Sequence, residues 1–510
     1  MKNVSPNRQM MLNLSSALVV FVVNILINFF LSPIIVNILG VEANGFVQLA
    51  NNFVSYITII TIALNSMSAR FITISFHQKD FKKASEYYSS TFAGNIVMLI
   101  LLIIPVSLGI LFIDNFILIS EHLVDQVRLL FVFVFLNFFI SMIFSIRGVA
   151  FFATNRIYLQ SIGNIIFSAT KAIITILLFA FFPAQIWYTG MAMTISNVAL
   201  QYWQHLVKKK LMPEISFKNK YVKFNAIKML ISSGIWNSIN QLGVVLFYGL
   251  DLVMINIFIG AEMMGIVAIA KIIPTMFGSL QGAIMNTFTP NLTILYAKGM
   301  IAELVDEFFK AGKLSLVITG IPFSAFIVFG EVFFSLWMPN QDGELLQNLA
   351  IISMISPIFM LGIQPLWQIF VVVNKTKENA LSVIMGGIVN VFLTLVVLQT
   401  TDLGIFAVLG ISSIISILKN IMFTIPFSAK YLGLKWHSFF PLVGLTFITF
   451  AVNYSIGFML SHVFSITTWL GLAGMVCAFS ILGLCLNTFI ILRKGEREIL
   501  IEKIFRRKHT

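Results

Sequence analysis

The chain has 510 residues, of which 58% are apolar and only 10% are charged. An average soluble domain carries about 25% charged residues, so the composition excludes a soluble enzyme or binding module and predicts a polytopic membrane protein. The formal net charge of +13 would suit nucleic acid, but the positions of the charges favour membrane orientation, and we expect no nucleic-acid partner.

The first apolar run, from about residue 11 to residue 39, follows Lys2 and Arg8. It exceeds the roughly 7–15 apolar residues of a signal peptide, so we interpret it as the first membrane span. A span needs about 20 apolar residues. This criterion predicts an all-α protein with fourteen spans, at 11–38, 44–76, 87–114, 124–152, 156–181, 184–207, 226–255, 264–296, 311–337, 345–373, 377–399, 403–427, 437–460 and 467–492.

Basic residues gather in alternate loops. With the N-terminus in the cytoplasm, the predicted cytoplasmic loops hold Lys79, Lys82, Lys83, Lys208, Lys209, Lys210, Lys218, Lys220, Lys223, Lys298, Lys375, Lys430 and Lys435. The opposite loops are mostly acidic, with Glu42, Asp114, Glu121, Asp125, Glu262, Asp342, Glu344 and Asp402. The positive-inside rule therefore predicts that both termini are cytoplasmic and that the number of spans is even. Twelve spans are the alternative, but the loops would then have to be reassigned to the opposite sides of the membrane.

A short pattern, Gly-x-Glu-x-x-Gly, occurs from Gly40 to Gly45 and again, 220 residues later, from Gly260 to Gly265. Asn155-Arg156 is matched by Asn374-Lys375 at an offset of 219. The repeat predicts two parallel six-helix lobes, related by a pseudo-twofold axis along the membrane normal. We predict lobes at 1–207 and 226–427, a basic linker at 208–225, two further helices at 428–492 and a basic, amphipathic tail at 493–510.

Sequence signals for catalysis are absent. The chain has no Gly-x-x-x-x-Gly-Lys-Ser/Thr phosphate loop, and its six histidines have no metal-binding spacing. The longest loop has only about 20 residues, which leaves no room for a soluble catalytic domain. We therefore expect a transporter or flippase without a metal or other cofactor, and not an enzyme.

Ionisable groups inside spans cost at least a few kcal/mol and mark candidate functional sites. Lys171 lies near the middle of the fifth span and Lys271 within the eighth, and we predict that both line a cavity for an anionic head group. Arg70 and Arg147 are placed near its inner mouth, with snorkelling to the interface as the alternative. The other candidate lining residues are Asp251, Asn28, Asn51 and Asn52. Asp251 is either an interfacial carboxylate or a partner for Lys271, and helix–helix hydrogen bonding is the alternative for the three amides.

The first helix leads into Leu39-Gly40-Val41-Glu42, and a long second helix reaches Ala69-Arg70 before a basic loop. Together with Asn155-Arg156 at the start of the fifth span, this pattern resembles the polysaccharide-exporter branch of the MATE-like (multidrug/oligosaccharidyl-lipid/polysaccharide, MOP) flippase superfamily. The resemblance covers about residues 10–430 and is greatest to the O-antigen flippases.

This resemblance implies alternating-access transport of an undecaprenyl-pyrophosphate-linked oligosaccharide across the bacterial inner membrane, coupled to a proton, a sodium ion or the membrane potential. Gly40, Gly45, Gly260 and Gly265 would shape the external turns that close the lobes. Membrane lipids, a polysaccharide polymerase and a chain-length regulator are the expected partners. The related lipid II flippases carry arginines within the first helix. Here that helix has only amides, which leaves Lys171 and Lys271 as the main cations. A multidrug exporter and a membrane-embedded glycan polymerase or ligase are the alternatives.

Overall fold

The computed structural model describes residues 6–463, 466–492 and 497, and every regular element in this part of the chain is helical. Helices are expected because a spanning segment must satisfy its own backbone hydrogen bonds in lipid. The α-helices are α1 (Pro6–Leu39), α2 (Val41–His77), α3 (Phe81–Leu111), α4 (Val124–Phe144), α5 (Val149–Ala153), α6 (Ile157–Phe181), α7 (Trp187–Leu211), α8 (Phe224–Val244), α9 (Asp251–Phe258), α10 (Ala261–Ala270), α11 (Ile272–Ala297), α12 (Ile301–Trp337), α13 (Gly343–Met360), α14 (Trp367–Val372), α15 (Thr376–Thr400), α16 (Ile405–Lys419), α17 (Ile425–Tyr431), α18 (Phe440–Val463) and α19 (Trp469–Ile491).

Twelve helical segments among the described residues are long and apolar enough to cross a membrane, and α8 with α9 forms a thirteenth that bends by 42°. The remaining predicted span, the sixth, coincides with α7. This helix is less apolar because its buried face is polar, with Thr194, Ser196, Asn197, Gln201 and Gln204 pointing inward. The predicted all-α class is confirmed, and the fourteen predicted spans agree with these elements. The predicted basic tail at 493–510 lies outside the described residues, apart from Arg497.

Contacts divide the chain into two compact units, the first ending at Ala268 and the second beginning at Ile269. In the first unit, α2 packs against α1, α3, α4 and α8. Helices α8 and α9, which the repeat assigns to the second lobe, thus pack with the first six spans. The predicted lobe boundaries stay a prediction.

A buried amide pair joins α2 to α3 in the first unit. Asn65 and Asn95 each donate their side-chain N–H to the other's oxygen, at 2.9 and 3.0 Å. Asn95 also donates to the carbonyl of Met142 on α4, at 2.8 Å. Because hydrocarbon offers these groups no other partner, the pair fixes the relative depth of three helices.

Helices α2 and α8 meet closely along a seam. A Cβ atom built on Gly234 would lie 2.9 Å from the carbonyl carbon of Ala63, so only glycine fits there without displacing backbone. Ser238 Oγ donates to the carbonyl of Ile59 at 2.7 Å. Near the bend between α8 and α9, a π-helical turn covers Val245–Gly249. The seam is therefore held by close backbone approach and by polar side chains that recognise carbonyls.

Side chains fasten the loops of the first unit on the side that the charges predict to be external. The carboxylate of Glu42 accepts hydrogen bonds from the Oγ and backbone N–H of Ser120, at 2.8 and 3.2 Å. Arg128 lies 2.8 Å from Asp114. The hydrogen bond from Arg128 holds the pKa of Asp114 below its ordinary value. These contacts tie the loop between α3 and α4 to the start of α2.

The second unit is built around α12, a 37-residue helix that packs against α11, α13, α18 and α19. One apolar cluster, which includes Phe308, Leu366 and Phe439, joins α12 to α14 and α18. Another joins α12 to α19 through Phe329 and Phe479. The two helices predicted to lie outside the repeat are therefore integral to the core of this unit.

The internal repeat also appears in local geometry. Asn155 and Asn374 both adopt positive φ, of 54° and 58°, in the turns that precede α6 and α15. Thr194 Oγ1 donates to the carbonyl of Phe133 at 2.8 Å. Ser413 makes the equivalent bond to Ile352, 219 residues later and also at 2.8 Å. A shared offset for turns and hydrogen bonds indicates that the two halves fold alike locally.

Candidate functional site

A polar cavity of about 470 Å³ lies inside the first unit, between α1, α4, α6 and α7. Its size falls within the roughly 300–1,000 Å³ of ligand pockets. The lining residues are Asn24, Ile27, Asn137, Ser141, Asn164, Phe167, Ser168, Lys171, Met193, Asn197 and Leu200. Four asparagines, two serines and one lysine in a membrane-spanning bundle form a surface suited to a polar ligand.

Hydrogen bonds between helices orient the amides of this cavity. Ser168 on α6 donates to Asn24 on α1, at 2.7 Å. Asn197 on α7 donates to the carbonyl of Asn137 and to Oγ of Ser141, at 3.0 and 2.8 Å. Gln201, one turn further along α7, donates to Asn197 Oδ1 at 3.1 Å. These contacts link α1 to α6 and α4 to α7, so the lining is held in place before any ligand arrives.

Asn137 carries a polar atom that the protein leaves unsatisfied. Its side chain is only 9% exposed, and its Oδ1 is buried without a hydrogen-bond partner. A buried acceptor without a donor costs about 1–3 kcal/mol, and a ligand hydroxyl would remove that cost. The cavity thus offers both a positive charge and an unused acceptor.

Lys171 is the one charged residue in the cavity lining, and the lining contains no carboxylate. Its side chain is half-buried on α6, in the interior of a predicted span. An uncompensated ammonium at this depth costs at least a few kcal/mol, so such a lysine is a functional candidate. The charge of the site favours an anion and opposes a cation. The structure places Lys171 in the lining of this cavity, and its role in binding stays a prediction.

The two predicted arginines lie apart from this lining. Arg147, in the 3₁₀ turn after α4, stacks on the ring of Phe144 at 3.9 Å and donates to the carbonyl of Gln201 at 3.1 Å. Arg70 is exposed near the end of α2, and Asn28 is exposed on α1. Arg147 is linked to the cavity lining through Gln201 on α7, and the exposure of Arg70 fits the snorkelling alternative.

The predicted residues of α2 and α9 lie away from this lining. Asn51 donates to the carbonyl of Val47 in its own helix, at 2.8 Å. Asn52 and Tyr56 both donate to the carbonyl of Gly249, the last residue of the π-helical turn. Asp251 is buried at the start of α9. None of the three predicted residues lines the polar cavity of the first unit.

Lys271 belongs to the second unit and interrupts a predicted span. It stands between α10 and α11, at a single non-helical residue. Its own carbonyl accepts a hydrogen bond from Thr275 N, at 3.1 Å, as α11 begins. Lys271 is therefore a position of helix interruption as well as charge, and its role in binding stays a prediction.

Sequence reasoning missed most of the cavity. Asn137, Ser141, Asn164, Ser168 and Asn197 were not candidates, although each lies in a predicted span. A search for polar residues on one face of the fourth, fifth and sixth spans would have found them. A third intramembrane lysine was also missed. Lys419 lies in the predicted twelfth span and donates to Asn420 Oδ1 at 3.4 Å.

The internal repeat allows each polar lining residue of the cavity to be compared with the corresponding position in the second half of the chain. At the offsets of 220 for the first helix and 219 for the later ones, the polar lining residues correspond in order to Val244, Ser356, Met360, Val383, Gly387, Asn390 and Ser416. Lys171 thus becomes Asn390, and three further positions become Val or Met. In the opposite sense, Lys271 corresponds to Asn51. The sequence therefore concentrates this polar lining in the first half.

The four glycines of the repeated pattern do two different things. Gly40 and Gly260 have φ values of +89° and +141°, and each precedes a helix, so they form tight turns between helices. Gly45 and Gly265 instead bring α2 and α10 into contact. A Cβ atom on Gly45 would lie 2.8 Å from Cα of Gly265, and one on Gly265 would lie 2.7 Å from the carbonyl carbon of Val41. The two copies of the repeated pattern are therefore in contact with each other within the first unit.

Comparison with solved structures defines the class. The lipid II flippase MurJ in an inward closed conformation matches with a TM-score of 0.70, covering 96% of this chain and all of MurJ at 14% identity. An inward-facing MATE family multidrug resistance transporter of the MOP superfamily gives 0.66, covering 80% of this chain and 94% of the transporter at 13% identity. The chain is a polytopic membrane protein with the MOP superfamily fold, which confirms the resemblance at the level of the fold.

A curated relative extends the comparison to sequence. The uncharacterized membrane protein EpsK of Bacillus subtilis (strain 168) is 28% identical over 499 residues, which cover 98% of each chain. No family model matches the sequence. The similarity to EpsK spans the whole length, including the two helices α18 and α19 beyond the predicted repeat.

Proposed function

We propose that this protein is a flippase that moves an undecaprenyl-pyrophosphate-linked oligosaccharide across the bacterial inner membrane. The observation that carries the proposal is the cavity between α1, α4, α6 and α7, in which one lysine stands among amides and hydroxyls without a carboxylate. Amides and serines are suited to sugar hydroxyls, and the ammonium of Lys171 is suited to the anionic part of the head group. The prenyl chain would stay in the surrounding lipid.

Two comparisons support a lipid-linked substrate over a drug. The match to MurJ, named as a lipid II flippase, covers 96% of this chain, whereas the MATE transporter covers 80%. An exporter of cationic drugs would also need negative charge in its cavity, and this lining has none. O-antigen, capsule and other surface polysaccharide units share the chemistry that the proposal requires.

The experiment tests Lys171 in a strain whose export depends on this protein. Lys171→Met should reduce surface polysaccharide at least tenfold at unchanged protein level, because a hydrogen bond to a charged group contributes about 1.5–3 kcal/mol. Lys171→Arg should retain part of the export, since the charge is preserved. Lys271→Ala is expected to reduce export as well.

Lys298→Met supplies the control, because it removes one positive charge from an exposed turn after α11. Export should then be unchanged. Binding of the lipid-linked oligosaccharide to the purified protein provides a second readout, and Lys171→Met should weaken it by about 10-fold or more. Normal export and normal binding in Lys171→Met would refute the proposed cationic cavity.

A further inference from the structure

A second, shallower cavity lies in the first unit at the ends of α3 and α8, on the side that the loop charges predict to be cytoplasmic. Its volume is about 410 Å³. The lining residues are Lys83, Glu86, Tyr87, Lys223, Phe224, Asn225, Ala226 and Met229. We call it the basic groove. It shares no residue with the polar cavity of the proposed transport site.

The groove is built on fixed backbone. Ser89 and Ser90 of α3 are fully buried. Their hydroxyls accept hydrogen bonds from the backbone N–H groups of Lys218 and Lys223, at 3.1 and 3.0 Å. Beneath the groove, Ala226 packs in an apolar cluster of α2, α3 and α8. The position of Lys223 relative to α3 is therefore set by the protein.

The charge of the groove is unbalanced. Lys83 and Lys223 are both exposed, and neither forms an ion pair within the described chain. Glu86 supplies the single carboxylate of the lining. Two ammonium groups against one carboxylate leave room for one negative charge, which is the charge of a phosphodiester. Asn225 and Tyr87 add polar atoms to the same lining.

Apolar side chains stand beside these charges. Phe224 is 77% exposed and directly follows Lys223, and Met229 is also exposed on α8. A surface with adjacent ammonium groups and exposed apolar side chains, at the end of spanning helices, suits a phospholipid whose phosphate sits at the interface and whose acyl chains follow the helix. A soluble anion would use the lysines but gain nothing from Phe224.

We infer that the basic groove binds the phosphate of an anionic phospholipid of the inner leaflet, of the phosphatidylglycerol type, between Lys83 and Lys223. The bound lipid joins the start of α8 to the start of α3. The site is thus a specific lipid contact of the first unit, additional to the substrate cavity.

The test uses native mass spectrometry to measure the dissociation constant of the highest-affinity dioleoylphosphatidylglycerol molecule bound to the full-length purified protein. Dioleoylphosphatidylcholine, which has no net charge, is the control lipid. A lysine near the membrane surface contributes about fivefold in binding to anionic lipid. Lys83→Gln with Lys223→Gln should therefore weaken phosphatidylglycerol binding by about 25-fold and leave phosphatidylcholine binding unchanged. Glu86→Gln should strengthen phosphatidylglycerol binding.

The chain offers a matched control. Lys82 and Lys228 are exposed on the same two helices but lie outside the groove lining, so Lys82→Gln with Lys228→Gln removes the same charge. This pair should change binding less than twofold. An equal loss in both double variants would overturn the inference, because the effect would then come from surface charge alone. Displacement of the bound phosphatidylglycerol by undecaprenyl pyrophosphate at lower concentration would also overturn it, by assigning the groove to the substrate.

Discussion

The close contact between Gly45 on α2 and Gly265 on α10 predicts that a larger residue at position 265 will push the starts of these two helices apart, on the side that the charges predict to be external. In Gly265→Ala, the new methyl group would meet the backbone carbonyl group of Val41 and a side-chain carbon of the same residue. Backbone cannot rotate away as a flexible side chain would. The starts of α2 and α10 must then separate, or the closed arrangement must bear the strain.

The magnitude follows from the cost of overpacking. Extra methyl or methylene groups in a tightly packed site cost about 1–3 kcal/mol. If transport requires the starts of α2 and α10 to separate, the added methyl group raises the free energy of the closed state and leaves that of the open state unchanged. An equilibrium biased by about 1–3 kcal/mol changes by about 5–150-fold. Gly265→Ala should therefore raise the open fraction by at least fivefold.

A buried cysteine reports that fraction. Ala43 is fully buried, two residues before Gly45, so Ala43→Cys should react slowly with a membrane-impermeant maleimide while the helix starts are closed. The native Cys477 and Cys485 are exposed and are first replaced by serine. With fast opening and closing, the labelling rate follows the open population. Adding Gly265→Ala should raise that rate at least fivefold.

The matched control is Gly109→Ala. This glycine lies in α3, and a Cβ atom there would meet no heavy atom within 4 Å. Labelling of Ala43→Cys should be unchanged in this background. An equal labelling rate in the Gly265→Ala and Gly109→Ala backgrounds, with both proteins folded, would refute the reasoning that the glycine crossing holds the closed arrangement.

Three further outcomes are expected. Asn95→Leu should lower the free energy of unfolding by about 1–3 kcal/mol, as measured by denaturant unfolding in detergent, because it breaks the amide pair and leaves the Met142 carbonyl without its donor. Asn28→Leu on an exposed face should leave that free energy unchanged. Arg128→Gln should lower the thermal midpoint equally at pH 5 and pH 8, because the pKa of Asp114 is already below its ordinary value and its carboxylate is ionised at both; a smaller effect at pH 8 would contradict this. A reporter fused after Lys210 should be cytoplasmic, and a periplasmic signal would overturn the predicted orientation.

The helix count and helix class were predictable because lipid imposes them. Long apolar runs have no stable alternative to helix at membrane depth, so the predicted spans coincide with the helices. The largest differences are at two starts, since α12 begins at Ile301 and α3 at Phe81, ahead of the predicted positions 311 and 87. Interruptions within spans were harder to predict. Pro274, in the first turn of α11, has no N–H to donate to the carbonyl of Ala270, so the local sequence does favour a break at Lys271. The π-helical turn before Asp251 follows no proline, and the residues that bond its last carbonyl, Asn52 and Tyr56, are distant in the chain.

The candidate site was predictable only where it carried charge. Lys171 stands out in an apolar span because its cost there is large. Asn137 and Asn197 do not, because an amide in a span can serve as a helix contact or line a cavity, and Asn197 does both. Which amides share a cavity depends on how four helices rotate about their axes. Apolar spans with weak periodicity leave that rotation undetermined.

The matching turns at Asn155 and Asn374 carry a consequence for how the two halves diverged after duplication. A left-handed backbone position accepts few residues, so both copies keep asparagine there. A side chain that faces a cavity is under no such backbone restriction, and the positions in the second half that correspond to Asn24, Asn164 and Ser168 hold valine and glycine. The two halves thus share a restricted backbone position and differ in polar side chains. The asparagines of the first copy could be grafted onto the second with little demand on its backbone.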